Sequence, residues 1–156
     1  MIKTAECRDS RFPIPSHMVT LQLSEFLRAS LERWAHAGYP VETCGLLLGE
    51  RNSACSTIKR VTQAKNLSHE RTRDRYLLDP QDFLAADNAA RANGMEVLGI
   101  WHTHPDHPAR PSEIDQAAAW PEWSYLILAV TRDGVKDIRS WRLNGDMKFD
   151  EEVIQS

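Results

Sequence analysis

Trp101-His102-Thr103-His104-Pro105 sets two imidazoles two residues apart. On an extended segment that spacing turns both side chains to the same side. Asp115 follows after ten intervening residues that include Pro105, Pro108 and Pro111, a length suited to a loop that doubles back. Two imidazoles and a carboxylate form a ligand set for zinc with the fourth position left to water. The chemistry on offer is metal-assisted hydrolysis. A His-x-His pair alone is weak evidence, since exposed loop histidines are common. Ser112-x-x-Asp115 also reads as a capping box, with Ser112 as N-cap and the acid at N3. The two uses are compatible, because a helix N-terminus is a firm place from which to present a first-turn carboxylate.

Hydrolysis also needs a base for the water and a donor for the developing oxyanion. Glu42, just before a glycine-flanked apolar run, is the candidate base. Its plainer reading, a solvated turn residue after Pro40, is the stronger one on these residues alone. Ser112, three residues before Asp115, is the candidate oxyanion donor.

The elements that must position these groups follow from periodicity. Leu23, Phe26, Leu27, Leu31 and Trp34 recur at helical spacing and predict an amphipathic helix from about Met18 to Ala37, closed by Gly38 and Pro40. Cys44 to Gly49 reads as a buried central strand and Ser56 to Gln63 as a second. Residues 65–75 are polar and charged, a loop, with a brief strand at Arg75 to Leu78. Asp79-Pro80 predicts an N-cap and first turn for a helix ending near Asn93-Gly94. Glu96 to His102 is the strand that delivers the histidines, and Ser112 to Trp120 is a short helix stopped by Pro121. Ser124 to Thr131 and Val135 to Leu143 form a hairpin turned at Asp133-Gly134. The fold class is therefore α/β, a mixed sheet flanked by helices. Residues 1–15 read as a polar lead-in with room for a short edge strand, and residues 16–150 as a single domain.

The 156 residues, 42% hydrophobic and 26% charged, suit one globular domain with its own core. A net charge of −3, with acids and bases interspersed, argues against nucleic acid as a partner. The three cysteines, Cys7, Cys44 and Cys55, lack CxxC spacing and suit a reducing compartment. The N-terminus has no apolar signal region, and the longest apolar run, Tyr125 to Val130, is far short of a membrane span. A cytoplasmic protein is the expectation.

Taken together, Glu42-Thr43-Cys44-Gly45-Leu46-Leu47-Leu48-Gly49, His102-Thr103-His104-Pro105 and Ala109-Arg110-Pro111-Ser112-Glu113-Ile114-Asp115 resemble the JAMM metalloprotease family, also called the MPN-plus domain. The family pattern is an upstream glutamate, His-x-His, ten residues and Asp, with Ser-x-x-Asp inside it. Asn66, Tyr76-x-x-Asp79-Pro80 and Val97-x-Gly99 resemble its connecting segments, and the likeness spans Ser16 to Leu143. It implies a cytidine-deaminase-like JAMM/MPN fold. It implies Zn²⁺ on His102, His104 and Asp115, a water of pKa about 7 as fourth ligand, Glu42 as general base and Ser112 as oxyanion donor. Thr103 stands where the family often has serine, and its side chain should point away from the pair.

Eukaryotic members that remove ubiquitin carry insertions for which this chain is too compact. It is more similar to the short prokaryotic branch, which cuts after the Gly-Gly tail of small ubiquitin-like or sulfur-carrier proteins. That implies such a protein as partner, a narrow channel for its tail, no membrane, and room for a homodimer. An alternative is a non-catalytic interaction module on the same fold, against which the retention of all five motif residues weighs. Members linked to DNA repair have asparagine between the histidines and Ser-Gly after His-Pro, unlike Thr103 and Asp106-His107 here. Plainer roles are expected elsewhere. His107 is a solvated loop residue and Cys44 a buried small one. Trp101, Trp120, Trp123 and Trp141 are core or rim, and Arg71, Arg73 and Arg75 a solvated cluster. His17, His36 and His69 carry no signal.

Overall fold

The computed structural model describes residues 19–68 and 76–156. The lead-in, Cys7, His17, His69 and the Arg71–Arg73–Arg75 cluster lie outside them. In chain order the elements are β1 (Thr20–Gln22), α1 (Glu25–Gly38), β2 (Cys44–Arg51), β3 (Cys55–Ala64), α2 (Pro80–Ala92), β4 (Glu96–Pro105), α3 (Glu113–Ala118), β5 (Ser124–Thr131), β6 (Gly134–Leu143) and β7 (Phe149–Gln155).

The sheet is mixed, as expected, but it closes on itself in the order β1-β3-β2-β4-β5-β6-β7. Closure depends on the shortest strand, β1, which pairs in parallel with both β3 and β7. Residues 20–22 were expected at the start of the first helix. Leu21 and Leu23, both fully buried, instead alternate at strand spacing. Ser24 then caps α1, its Oγ accepting the Leu27 N–H at 3.3 Å. Phe26, expected on the buried face, is 79% exposed in the first turn, while Leu31 and Ala35 take the core. β7 was not anticipated, because its acid-rich sequence shows no clean alternation.

Two faces of the sheet build two cores. Leu47, Leu98, Trp101, Leu126, Leu128 and Val130 pack with Leu31 and Ala35 of α1. Leu46, Leu48 and Val97 pack on the other face under Ala86 and Ala90 of α2. α2 begins as expected, with Asp79 accepting from the Gln81 N–H and Pro80 in the first turn. Ile100, His102 and His104 lie on the α2 side of β4, which runs on through Pro105, so both histidines sit within the strand rather than at its end. No helix among the described residues is long and apolar enough to cross a membrane.

One buried acid lies on β7. Glu152, 5% exposed, accepts hydrogen bonds from Ser140 Oγ at 2.7 Å and Ser124 Oγ at 3.2 Å, with Arg142 Nη1 3.5 Å away. Burial nevertheless raises its carboxyl above the ordinary value. An acid raised in the fold is stabilising in its protonated form, so stability drops as pH climbs from the unfolded value through the folded one. Glu152→Gln is expected to melt above wild type at pH 7–8, by about 2–4 °C for each ~1 kcal/mol relieved. The gap should narrow toward pH 4. A lower melting temperature for the variant at pH 7 would show that the Arg142 pairing outweighs burial.

Candidate active site

The functional side chains converge because three strands and a capped helix meet at one place. Cys44 of β2 and Ile127 of β5 flank His102 in register, and Ala129 lies beside His104. The Nε2 atoms of His102 and His104 approach to 3.1 Å. Asp115 reaches both, Oδ1 at 3.5 Å from His102 Nε2 and Oδ2 at 3.4 Å from His104 Nε2. Two ligands about 2.0–2.1 Å from a zinc at the tetrahedral angle stand roughly 3.3 Å apart. The three separations therefore match edges of such a tetrahedron, and the donor set fits the metal. Glu42, His102 and His104 also form a group whose ligand atoms lie within 4.8 Å of one another. Glu42 is 2% exposed, so the solvated-turn reading does not hold.

Asp115 is presented by the capping box. Ser112 Oγ accepts the Asp115 N–H at 3.1 Å, and Asp115 Oδ2 accepts the Ser112 N–H at 2.7 Å. The Ser112 hydroxyl accepts in that bond, which leaves its own proton available to a substrate. α3 is shorter than expected, ending at Ala118. Burial alone would raise the Asp115 carboxyl, but hydrogen bonds from His102 and His104 prevail and hold it well below the usual carboxylate range.

The two imidazoles are held differently. His104 Nδ1 lies 2.9 Å from the Pro108 carbonyl, which can only accept, so in the neutral ring Nδ1 carries the proton and Nε2 turns its lone pair inward. Burial opposes charge on His104, yet bonds to Asp115 and Pro108 raise its pKa. His102 is fully buried, and burial lowers its pKa against the pull of Asp115. Its Nδ1 has no hydrogen-bond partner among the described residues. Tyr76 covers it instead, ring centroids 4.5 Å apart. Burial, followed by the charge of Asp115, raises the Tyr76 hydroxyl well above its ordinary value, so it stays protonated.

Glu42 is fixed through its backbone. Asn66 Nδ2 donates to the Glu42 carbonyl at 2.9 Å, while Asn66 Oδ1 accepts from the N–H groups of Ser68 and Leu77. Thr43 N–H donates to Thr103 Oγ1 and Thr103 N–H to the Thr43 carbonyl, each at 2.9 Å. Thr103 thus points away from the histidine pair, as expected, and ties β4 to the residue after Glu42. Burial, with the Glu42 charge beside it, pushes the Cys44 thiol up to about 12, so it is a buried, unreactive neighbour.

All five motif residues border or floor one groove of about 660 Å³, His102 lying beneath it and the other four lining it. In the sequence pattern Asn66 and Tyr76 belong only to connecting segments, and Pro108 has no task. Nothing in the residue types marks a carbonyl such as that of Pro108.

The family model described as prokaryotic homologs of the JAB domain matches residues 24–144. The chain belongs to this family. The resemblance carried by the Glu42, His102, His104, Ser112 and Asp115 motif is thereby borne out. The JAB domain here is 32% identical over 103 residues to a desampylase of Haloferax volcanii, covering 65% of this chain and 70% of that protein. It is 36% identical over 114 residues to a probable TtuB-protein conjugate cleaving protease of Thermus thermophilus, covering 73% and 69%. In three dimensions it is similar to the solution structure of a Desulfitobacterium hafniense protein, with TM-score 0.77, 32% identity, and 87% and 92% of the two chains covered.

Proposed function

We propose that this JAB domain is a zinc-dependent peptidase that hydrolyses the amide bond after the C-terminal Gly-Gly of a small ubiquitin-like or sulfur-carrier protein. The observation that carries the reading is the convergence of His102 Nε2, His104 Nε2 and the Asp115 carboxylate to 3.1–3.5 Å on the floor of a groove. The names of the relatives from Haloferax and Thermus support the substrate class. A deaminase-like arrangement of the sheet and a cytoplasmic place of action accompany this reading.

His102, His104 and Asp115 would hold the zinc, with Glu42 as base rather than ligand because Asp115 already contacts both imidazoles. When bound, zinc supplies a Lewis acid that acidifies water and polarises the scissile carbonyl. Glu42 takes the proton of the attacking water and passes it to the departing amine. Ser112 Oγ–H donates to the carbonyl oxygen as it gains charge. Tyr76 and the buried floor keep bulk water from His102. No covalent bond to the enzyme forms.

The test is incubation of the purified protein with ubiquitin-like and sulfur-carrier proteins bearing extra residues after Gly-Gly, read by intact mass. Loss of those residues, blocked by a chelator and restored by zinc, is expected. Zinc below about half an equivalent after careful handling, with no cleavage, would favour a non-catalytic interaction module.

A further inference from the structure

The groove has two chemically different ends, and β4 sets their order. Ile100, His102 and His104 follow one another along a single face of the strand, so Ile100 lies at one end and the loop after Pro105 at the other. Tyr125 pairs with Ile100 in register, and its hydroxyl accepts the Trp120 N–H at 2.6 Å. α3 runs back from Ser112 at the loop end toward Trp120. One end is therefore apolar, built from Ile100, Leu78, Trp120 and Tyr125, with Trp120 65% exposed. The other carries His107 and Arg110.

Arg110 is exposed, and among the described residues its guanidinium has no hydrogen bond or ion pair. Its backbone is firmly placed. Trp141 Nε1–H donates to the Ala109 carbonyl at 3.0 Å, with Ala109 itself buried, and the Arg110 N–H donates to the Pro108 carbonyl at 2.8 Å. At the start of the loop, Asp106 N–H donates to the Val130 carbonyl and Tyr39 Oη–H to Asp106 Oδ2, both at 2.8 Å. An unpartnered guanidinium on a firmly placed backbone thus stands beside a reaction centre that contains two acids, Glu42 and Asp115. With zinc held there, Glu42 and Asp115 offset its charge, so Arg110 is the cation at the groove left to receive a substrate carboxylate, and the apolar end offers none. Arg is suited to the task, because its planar fork matches a carboxylate in two parallel hydrogen bonds.

We propose that Arg110 binds the free α-carboxylate of the leaving group. The bond cut is then an ordinary peptide bond to a short C-terminal extension, and the acyl side runs toward Trp120. This inference rests on the peptidase reading above and narrows its substrate from any conjugate to one whose departing amine carries a nearby carboxylate. A conjugate through a lysine side chain presents no such group to Arg110.

The experiment compares three substrates built on one ubiquitin-like protein ending in Gly-Gly. One is extended by a single alanine as the free acid, one by alanine amide, and one is joined to a lysine side chain of a peptide. With zinc-loaded wild type, kcat/KM for the acid is expected to exceed that for the amide by about tenfold, mostly through KM, as loss of one charge-assisted pair implies. Arg110→Gln should shrink the acid-to-amide ratio below about twofold. Being a ratio within one variant, it is insensitive to any general loss of folded enzyme. Equal cleavage of acid and amide by wild type overturns the assignment. So does an undiminished ratio in Arg110→Gln, or faster cleavage of the lysine conjugate than of the acid. In each of those cases the peptidase reading stands. Cleavage of none of the three removes that reading, and this inference with it.

Discussion

Glu42→Gln is expected to retain zinc and to lose turnover by about 10²–10⁴-fold, the usual weight of a positioned general base. Glutamine keeps the shape of the side chain but cannot accept the water's proton. The Asn66 side-chain bond to the Glu42 carbonyl and the Thr43–Thr103 pair, which locate the Glu42 main chain, are left in place by the substitution. Asp115 continues to contact both imidazoles, so the ligand set survives. His104→Ala makes the contrast: it removes a proposed ligand and leaves Asp115 Oδ2 with the Ser112 N–H alone, and zinc and turnover should fall together. Metal content by atomic emission, measured beside steady-state rates, checks both variants. Full activity in Glu42→Gln would remove the proposed base. Loss of zinc from the same variant would make Glu42 a ligand, as its membership of the Glu42–His102–His104 group allows.

The sequence made the histidine pair, the capping box and most elements legible, because each is a local pattern. His-x-His on a strand must face one way, Ser-x-x-Asp at a helix start must cap, and Asp-Pro must open a helix. What stayed hidden depends on contacts between distant segments. Glu42 reads as a solvated turn residue until Asn66, 24 residues on, donates to its carbonyl and the sheet buries it. Tyr76 gives no sign of stacking on His102, since that contact exists only when the segment after residue 75 returns over β4. Closure of the sheet failed to show for a related reason. β1 has three residues and β7 carries three acids in seven, so neither displays strand alternation strongly; β1 is a strand because β3 and β7 supply its hydrogen bonds, and β7 because β1 and β6 supply its own. The Met18–Ala37 helical pattern overruns the true helix start because Ser24, a good N-cap, divides a period of two from a period of 3.6.

Gly45→Ala is expected to cost roughly 3–5 kcal/mol, combining overpacking with the loss of one buried hydrogen bond. Gly45 of β2 pairs with Gln63 on one side and Trp101 on the other. The Trp101 indole uses the open space above it to reach across β2 and donate Nε1–H to the Thr62 carbonyl at 2.8 Å. A Cβ on residue 45 would collide with both of those atoms. Neither can yield cheaply. The Thr62 carbonyl belongs to the β3 backbone, and Trp101 is fully buried and stacked on Trp34, ring centroids 6.0 Å apart. The strain is relieved by parting β2 from β3 or by pushing Trp101 out of place, and the residue after Trp101 is His102. Melting temperature should fall by roughly 10–15 °C, a size that follows from ~2–4 °C per kcal/mol in a domain of this length. Zinc retention should weaken with it. Gly145→Ala is the control, since a Cβ there meets nothing within 4 Å, and its melting temperature should stay within about 2 °C of wild type. If the two alanine variants melt alike, the Trp101–Thr62 bridge over Gly45 has slack, and the route from core packing to His102 is not the one described.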